Sequence, residues 1–371
     1  MVATAEAYAA VQPDVRIVWA TRSLQDFADF PVQRLAETYD LLVIDHPFVG
    51  FAAADGCLLP LDEHIDAAVL ADQAAHSVGP SHRSYLYGGH QWALATDAAG
   101  HVAAYRPDLL AEIGGLPRTW DDVLAVAEAR RNQERARVGI PLIPVDALMS
   151  FCSICAAADE LPYAQSDRVV SRAIGRKALD ILESLQRASH PESLSRNPPR
   201  MLDLMSTTDE IAYIPLLFGY SNYARPGFRP SLVRFTGVPT LDGGASRGGI
   251  LGGAGVAISA GTKHPAAAAA YAAYVASADV QRGIYFTAGG QPGHRAAWDD
   301  EAVNAASSDF FRDTLAALDR AYLRPRYLGF MEVQERSGEL IHNWLAAGGL
   351  ADVLLDELDE LYWASKPEGK E

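Results

Sequence analysis

Several short stretches carry side chains that could do chemistry. Asp45-His46, within the stretch YDLLVIDHPFVG (residues 39–50), sets a carboxylate beside an imidazole, the raw material of an acid/base pair or of a polar ligand grip. Cys152 and Cys155 form a C-x-x-C within SFCSICAAAD. Residues 243–255, GGASRGGILGGAG, are dense in glycine. Phe218, Tyr220, Asn222 and Tyr223 crowd three aromatics and an amide into one loop, five residues after Tyr213. Asp97 follows a short apolar stretch, and Arg295 follows the glycine turn 289–293.

Most catalytic readings of these residues lack a partner. No H-E-x-x-H zinc motif occurs. His46 and His64 lack the spacing for a shared metal, and nothing singles out a carboxylate pair. The cysteine pair has no second pair to complete a zinc site, and its small, apolar flanks suggest buried thiols on one helical turn. The glycine stretch lacks the Gly-Lys-Ser/Thr of a phosphate cradle, so it reads as a chain crossing with close backbone approach to a ligand. What remains is aromatic rings, amides and glycines at strand ends. Aromatic faces stack on the apolar faces of sugar rings, and Asp, Asn, Gln and Arg satisfy hydroxyls. That mixture suits a binding surface better than a reaction centre. Ordinary core packing is the competing reading for Trp92, Tyr213 and Phe218, and helix capping for Asp45.

The elements that must position these residues follow from pattern. Leu41–Ile44 is a short apolar run with polar ends, which predicts a strand buried on both faces, as in a parallel sheet. Pro47 stops it. Val15–Ala20 reads as another strand, after an Ala-rich helix over 3–11 and before a helix over 32–38. Gly88-Gly89 between aromatics predicts a hairpin. Thr119 with Asp121 and Asp122 signals a helix start. A short strand over 140–145, a buried helix over 146–158 and an amphipathic helix over 171–189 follow. Residues 211–217 read as a strand in which Pro215 demands an edge or a bulge. A further strand over 256–259 and an Ala-rich helix over 265–277 precede a mostly helical remainder. This alternation is the grammar of an α/β chain.

The chain has 371 residues, which favours two domains. A net charge of -16 argues against a nucleic-acid partner. Three cysteines are too few for a disulfide scaffold, and no run of about 18 apolar residues is present to span a membrane.

Taken together, these stretches resemble the family 1 extracellular solute-binding proteins of ABC importers, the carbohydrate-binding class that includes maltose-binding proteins. YDLLVIDHPFVGFAAADGCLLPLDEHI looks like the family's strand, aspartate and loop. YGGHQWALATDAAGHVAAYRPDLL looks like its first hinge crossing, and PRTWDDVLAVA like its P-x-T-W-D-E helix start. GGAGVAISAGTKHPAAAAAYAAYVAS with AGGQPGHRAAW looks like the return to the first lobe. The resemblance implies a two-lobed periplasmic-binding-protein fold, hinge-connected, with a ligand cleft between the lobes. One lobe would hold 1–97 and 248–305, the other 98–247 and 306–371. Asp45, His46 and Phe48, with Asp97, Gly253 and Arg295, would face the ligand from the first lobe and hinge. Tyr213, Phe218, Tyr220, Asn222 and Tyr223 would face it from the second. It further implies a non-enzymatic monomer without cofactor or metal, binding a sugar or polyol outside the cell and delivering it to an ABC permease. Family members begin with a cleft-lining strand and an export signal, whereas this chain begins on the following helix. That predicts about thirty residues upstream, the size of a signal plus one strand. A cytoplasmic relative with enzymatic activity, or a binder of a small organic acid or amine, is the alternative.

Overall fold

The first apolar run does form a strand, with a neighbour the local pattern does not reveal. In the computed structural model, which describes residues 1–21, 32–165, 167–244 and 248–366, β1 (Leu41–Ile44) pairs antiparallel with the strand over Leu251–Ile258. The register runs from Leu41 opposite Ile258 to Ile44 opposite Gly255. Its residues alternate between half-buried and buried. Among the described residues β1 has this one partner, so it is an edge strand and not a doubly covered parallel one. A four-residue apolar run looks the same in either setting, because the partner strand is more than two hundred residues away.

The chain divides into two compact units, Met1–Ala98 with Gly252–Val303 and Arg326–Leu328, and Ala99–Leu251 with Asn304–Pro325 and Gly329–Glu371. The first unit opens with α1 (Val2–Val11) and α2 (Val32–Ala36), followed by β1, α3 (Val49–Asp55) and α4 (Ala67–His76). Residues 15–20 make no strand. Val15, Ile17 and Trp19 instead pack beside Tyr8 and Tyr271, and the Trp19 indole donates to the Tyr271 hydroxyl at 3.0 Å. The hairpin forms as β2 (Leu86–Tyr87) and β3 (His90–Gln91). Gly88 and Gly89 both take positive φ, as a two-residue hairpin turn of this twist requires. β4 (Leu94–Tyr105) begins here and continues into the second unit.

In the second unit, α5 (Trp120–Arg130) starts on a full capping box. The Thr119 hydroxyl accepts the Asp122 N–H at 3.0 Å, and the Asp122 carboxylate accepts the Thr119 N–H at 2.9 Å. β5 is only Arg137–Val138, and the expected strand over 140–145 gives way to α6 (Pro144–Ala157), which takes Pro144 in its first turn. α7 (Arg172–Ala188) and α8 (Pro198–Thr207) lead to β6 (Ile211–Phe218), flanked by β4 and, in parallel, β5. β6 is therefore interior, and Pro215 is accommodated by the bulge. The register with β4 slips between Leu217 opposite Val102 and Ile214 opposite Ala104. β7 (Arg234–Thr236) covers the other side of β4. β8 (Leu251–Ile258) returns the chain to the first unit, which α9 (Pro265–Ala276) and α10 (Arg295–Trp298) complete.

Asp146 sits buried in the first turn of α6, and one carboxylate oxygen meets no hydrogen-bond donor among the described residues. Burial pushes its pKa up to about 8. A carboxyl held above its unfolded value contributes stability below about pH 4, and loses it as pH rises toward 8, at up to about 1.4 kcal/mol per unit. Asp146→Asn is therefore expected to flatten the fall in melting temperature between pH 4 and pH 8. Parallel pH profiles of the two proteins would contradict this.

Candidate functional site

At the end of β1, Asp45 caps a one-turn 3-10 helix over His46–Phe48. Its carboxylate accepts the His46 N–H at 2.7 Å. The same oxygen lies 3.0 Å from His46 Nδ1. The two side chains differ sharply in access, Asp45 at 25% and His46 at 1%. The imidazole is turned into the core of its own unit, edge-on to Tyr85 with ring centroids 6.4 Å apart. His46 is thus corrected from a ligand-facing residue to an internal support for Asp45. Phe48 is half-buried against the same core cluster.

Asp97 lies on β4 and is half-buried. Burial raises its pKa to about 7, against the opposing pull of a hydrogen bond from the Gln291 backbone N–H. Gln291 fixes this corner again through its side-chain amide, which donates to the Ala98 carbonyl at 2.8 Å, while the Ala98 N–H donates to the Gln291 carbonyl at 3.2 Å. Gly253 meets the same place from β8. It takes φ +110°, and a Cβ there would stand 2.3 Å from the Asp97 carbonyl oxygen. The close approach of Gly253 is therefore to the Asp97 backbone, and the residue itself stays half-buried. Arg295 opens α10, three residues beyond Pro292, which bridges to Asp97.

The second unit keeps one group of candidates together. β6 ends at Phe218, whose ring packs edge-to-face on His101 with centroids 4.5 Å apart. Tyr220 and Asn222 follow within one turn, all three half-buried. Tyr223 turns away. Its hydroxyl donates toward Asp203 Oδ1 at 2.8 Å and lies 3.1 Å from the Pro199 carbonyl, so it staples the loop to α8. Tyr213 does not join them at all. It lies opposite Tyr105, at the far end of β4 from Asp97, and is fully buried. Both tyrosines are corrected to structural residues, Tyr213 because it is fully buried within β6 and Tyr223 because its buried ring is tied through its hydroxyl to Asp203 and Pro199. The Tyr213 hydroxyl has no hydrogen-bond partner among the described residues, and burial raises its pKa. Tyr213→Phe is expected to leave stability unchanged or to raise it by about 1 kcal/mol, since only an unsatisfied hydroxyl is lost. A clear loss in urea unfolding would contradict that placement.

Two groups escaped the sequence reading. His101 is buried beside Ser153, whose hydroxyl accepts the Ile250 N–H at 3.0 Å and lies 2.8 Å from His101 Nδ1. Burial and nearby Arg324 hold this imidazole neutral, lowering its pKa to about 3. Gln291 is the other, the residue that orders the Asp97 corner. Both lie within stretches that carry the family resemblance, 87–110 and 288–298, but only the fold brings their partners to them. Cys152 and Cys155 are free, buried thiols on α6; burial pushes Cys152 up to about 12 and Cys155 well above its usual value, which makes both inert at neutral pH.

A sequence model of bacterial extracellular solute-binding proteins matches residues 5–308. The maltotriose-binding protein of Pyrococcus abyssi (strain GE5 / Orsay) is 28% identical over 137 residues, a stretch that spans 37% of this chain and 28% of that relative's length. Maltose-bound MalE3 of T. maritima superposes with a TM-score of 0.80 at 18% identity, covering 97% of this chain and 94% of the other. An ABC transporter solute-binding protein of Agrobacterium radiobacter K84 in complex with ribitol gives 0.77 at 19% identity, with coverage of 97% and 94%. At such identities the two structures establish a shared fold over nearly the whole chain.

Proposed function

The chain belongs to the bacterial extracellular solute-binding proteins, and we propose that it is the substrate-binding component of an ABC importer for a carbohydrate or polyol-like solute. The observation that carries the reading is the family match over residues 5–308. The ligand class rests on the side chains that remain accessible once the buried ones are set aside. Phe218 and Tyr220 supply aromatic faces, and Asn222 an amide, from the second unit. Asp45, Asp97 and Arg295 supply a hydroxyl-binding set of both signs from the first, with Phe48 as an apolar neighbour. Maltose- and ribitol-bound proteins share the fold, which supports a polyhydroxylated solute. Residues 1–97 with 248–305 serve as one lobe and 98–247 with 306–371 as the other. Hinge closure between the lobes retains the solute, so affinity falls in proportion to the population of the open form.

The family and fold are those of binding proteins, and the solute is released unchanged to a membrane permease. The protein works as a monomer outside the cytoplasmic membrane, without cofactor. A thermal-shift panel of mono- and oligosaccharides, polyols, organic acids and amines tests this. At least one sugar or polyol is expected to raise the melting temperature in a concentration-dependent way. A response confined to organic acids or amines would overturn the ligand class.

A further inference from the structure

A second cluster of ligating side chains lies in the first unit and includes His294, the chain neighbour of Arg295. Asp72 and His76 are one turn apart on α4, and His294 is the N-cap of α10. One ligand atom from each lies within 4.8 Å of the other two. His76 Nδ1 is 2.8 Å from Asp72 Oδ1, and His294 Nε2 is 3.2 Å from Asp72 Oδ2. The two imidazoles are stacked with centroids 5.6 Å apart. The donors of a four-coordinate zinc ion, at about 2.0–2.1 Å from the metal, stand roughly 3.4 Å from one another. The trio is therefore already close to ligand spacing.

The geometry points to a site for a divalent transition cation of the zinc class, held by Asp72, His76 and His294 with one position left to water. Two imidazoles and one carboxylate suit zinc better than calcium or magnesium, which prefer all-oxygen shells. The framework is fixed without the ion. The Val78 N–H donates to the Gly293 carbonyl at 3.0 Å, and the Ser77 hydroxyl reaches the same oxygen at 3.4 Å. The end of α4 and the turn before α10 are thus held together before any metal enters. The side chains of Asp72 and His76 are 44% and 55% exposed, so the ion has an open approach, while His294, at 4%, forms the floor. The net charge of -16 raises the local concentration of cations.

Binding has one identifiable cost. The Ala296 N–H donates to His294 Nδ1 at 3.1 Å, so in the metal-free state the ring proton sits on Nε2 and points to Asp72. A metal on Nε2 displaces that proton to Nδ1, which then no longer accepts the Ala296 N–H, so the helix cap is weakened. The ion would then tie α4 to the turn 289–293, which orders the Asp97 corner through Gln291. It is a clamp on the scaffold and not a reaction centre.

The test is calorimetric titration of Zn2+ into the full chain, free of affinity tags and stripped with EDTA. One ion per chain with a micromolar or tighter dissociation constant is expected, and a rise in melting temperature with it. His294→Asn separates ligand from cap, since asparagine is a good N-cap but its amide is a poor zinc ligand. That variant is expected to fold normally and to bind Zn2+ at least tenfold more weakly, as are His76→Gln and Asp72→Asn. Co2+ in place of Zn2+ is expected to give visible absorption of four-coordinate intensity, lost in His294→Asn. Absence of Zn2+ binding at 100 µM, or equal affinity in the parent and the three variants, would overturn the proposal and leave a hydrogen-bonded trio only.

Discussion

Gly253→Ala is expected to be strongly destabilising, on the order of 3 kcal/mol or more. The left-handed φ of +110° already penalises a side chain. The added Cβ would also lie 2.3 Å from the Asp97 carbonyl oxygen and 3.1 Å from Ala98 Cα. Both obstacles are backbone, so no side-chain rotation relieves them. Gly56→Ala is the control. Gly56 is also left-handed, at φ +74°, as the C-cap of α3, but a Cβ there meets nothing within 4 Å, so about 1 kcal/mol is expected. Urea unfolding of both proteins measures the difference. Equal losses would mean that the contact between β8 and the Asp97 corner is not tight. Because Gly253→Ala pushes on the Asp97 corner, it should also weaken solute binding where folded protein survives.

The second large effect concerns the loop after β6. Tyr220→Ala combined with Asn222→Ala is expected to weaken solute binding about 100-fold while moving the melting temperature little. A stacked aromatic and a paired amide of this kind each carry on the order of 1–2 kcal/mol at a binding surface. Tyr223→Phe provides the contrast within the same turn. Its hydroxyl reaches Asp203 and Pro199, so its loss should lower stability by about 1 kcal/mol and leave affinity near that of the parent. Calorimetric titration with the best solute of the panel, next to thermal unfolding, reads both quantities. The opposite pattern, affinity lost in Tyr223→Phe and kept in the double variant, would assign the loop the reverse way round.

How much of this was legible in the sequence depends on how far apart the interacting residues are. The capping box at Thr119, the glycine hairpin at 88–89, and the helices 144–157 and 172–188 rest on neighbours within a few positions, and patterns of that range announce themselves. Pro215 forced a choice between edge and bulge, and the sheet took the bulge. Long-range facts were not legible. β1 reads as a buried parallel strand until its antiparallel partner at 251–258 is known. Val15–Ala20 has the composition of a strand but packs its alternate side chains on α1 and Tyr271 without a ladder. Among site residues, spacing could not distinguish Tyr213, which sits inside the sheet, from Phe218, five positions on at its end. It could not reveal that the His46 ring turns inward while Asp45 stays accessible. His101 went unnoticed because its significance comes from Ser153 and Arg324, both remote in the chain.

The central claim, that this chain captures a polyhydroxylated solute and gives it back unchanged, is tested most directly by one equilibrium experiment. The protein is saturated with the tightest-binding solute of the panel, held for hours, denatured, and the released small molecule weighed by mass spectrometry. The account expects saturable one-to-one binding of a sugar or polyol and recovery of the same mass. Recovery of a hydrolysed, oxidised or otherwise altered product, in amounts that grow with time and protein concentration, would contradict it.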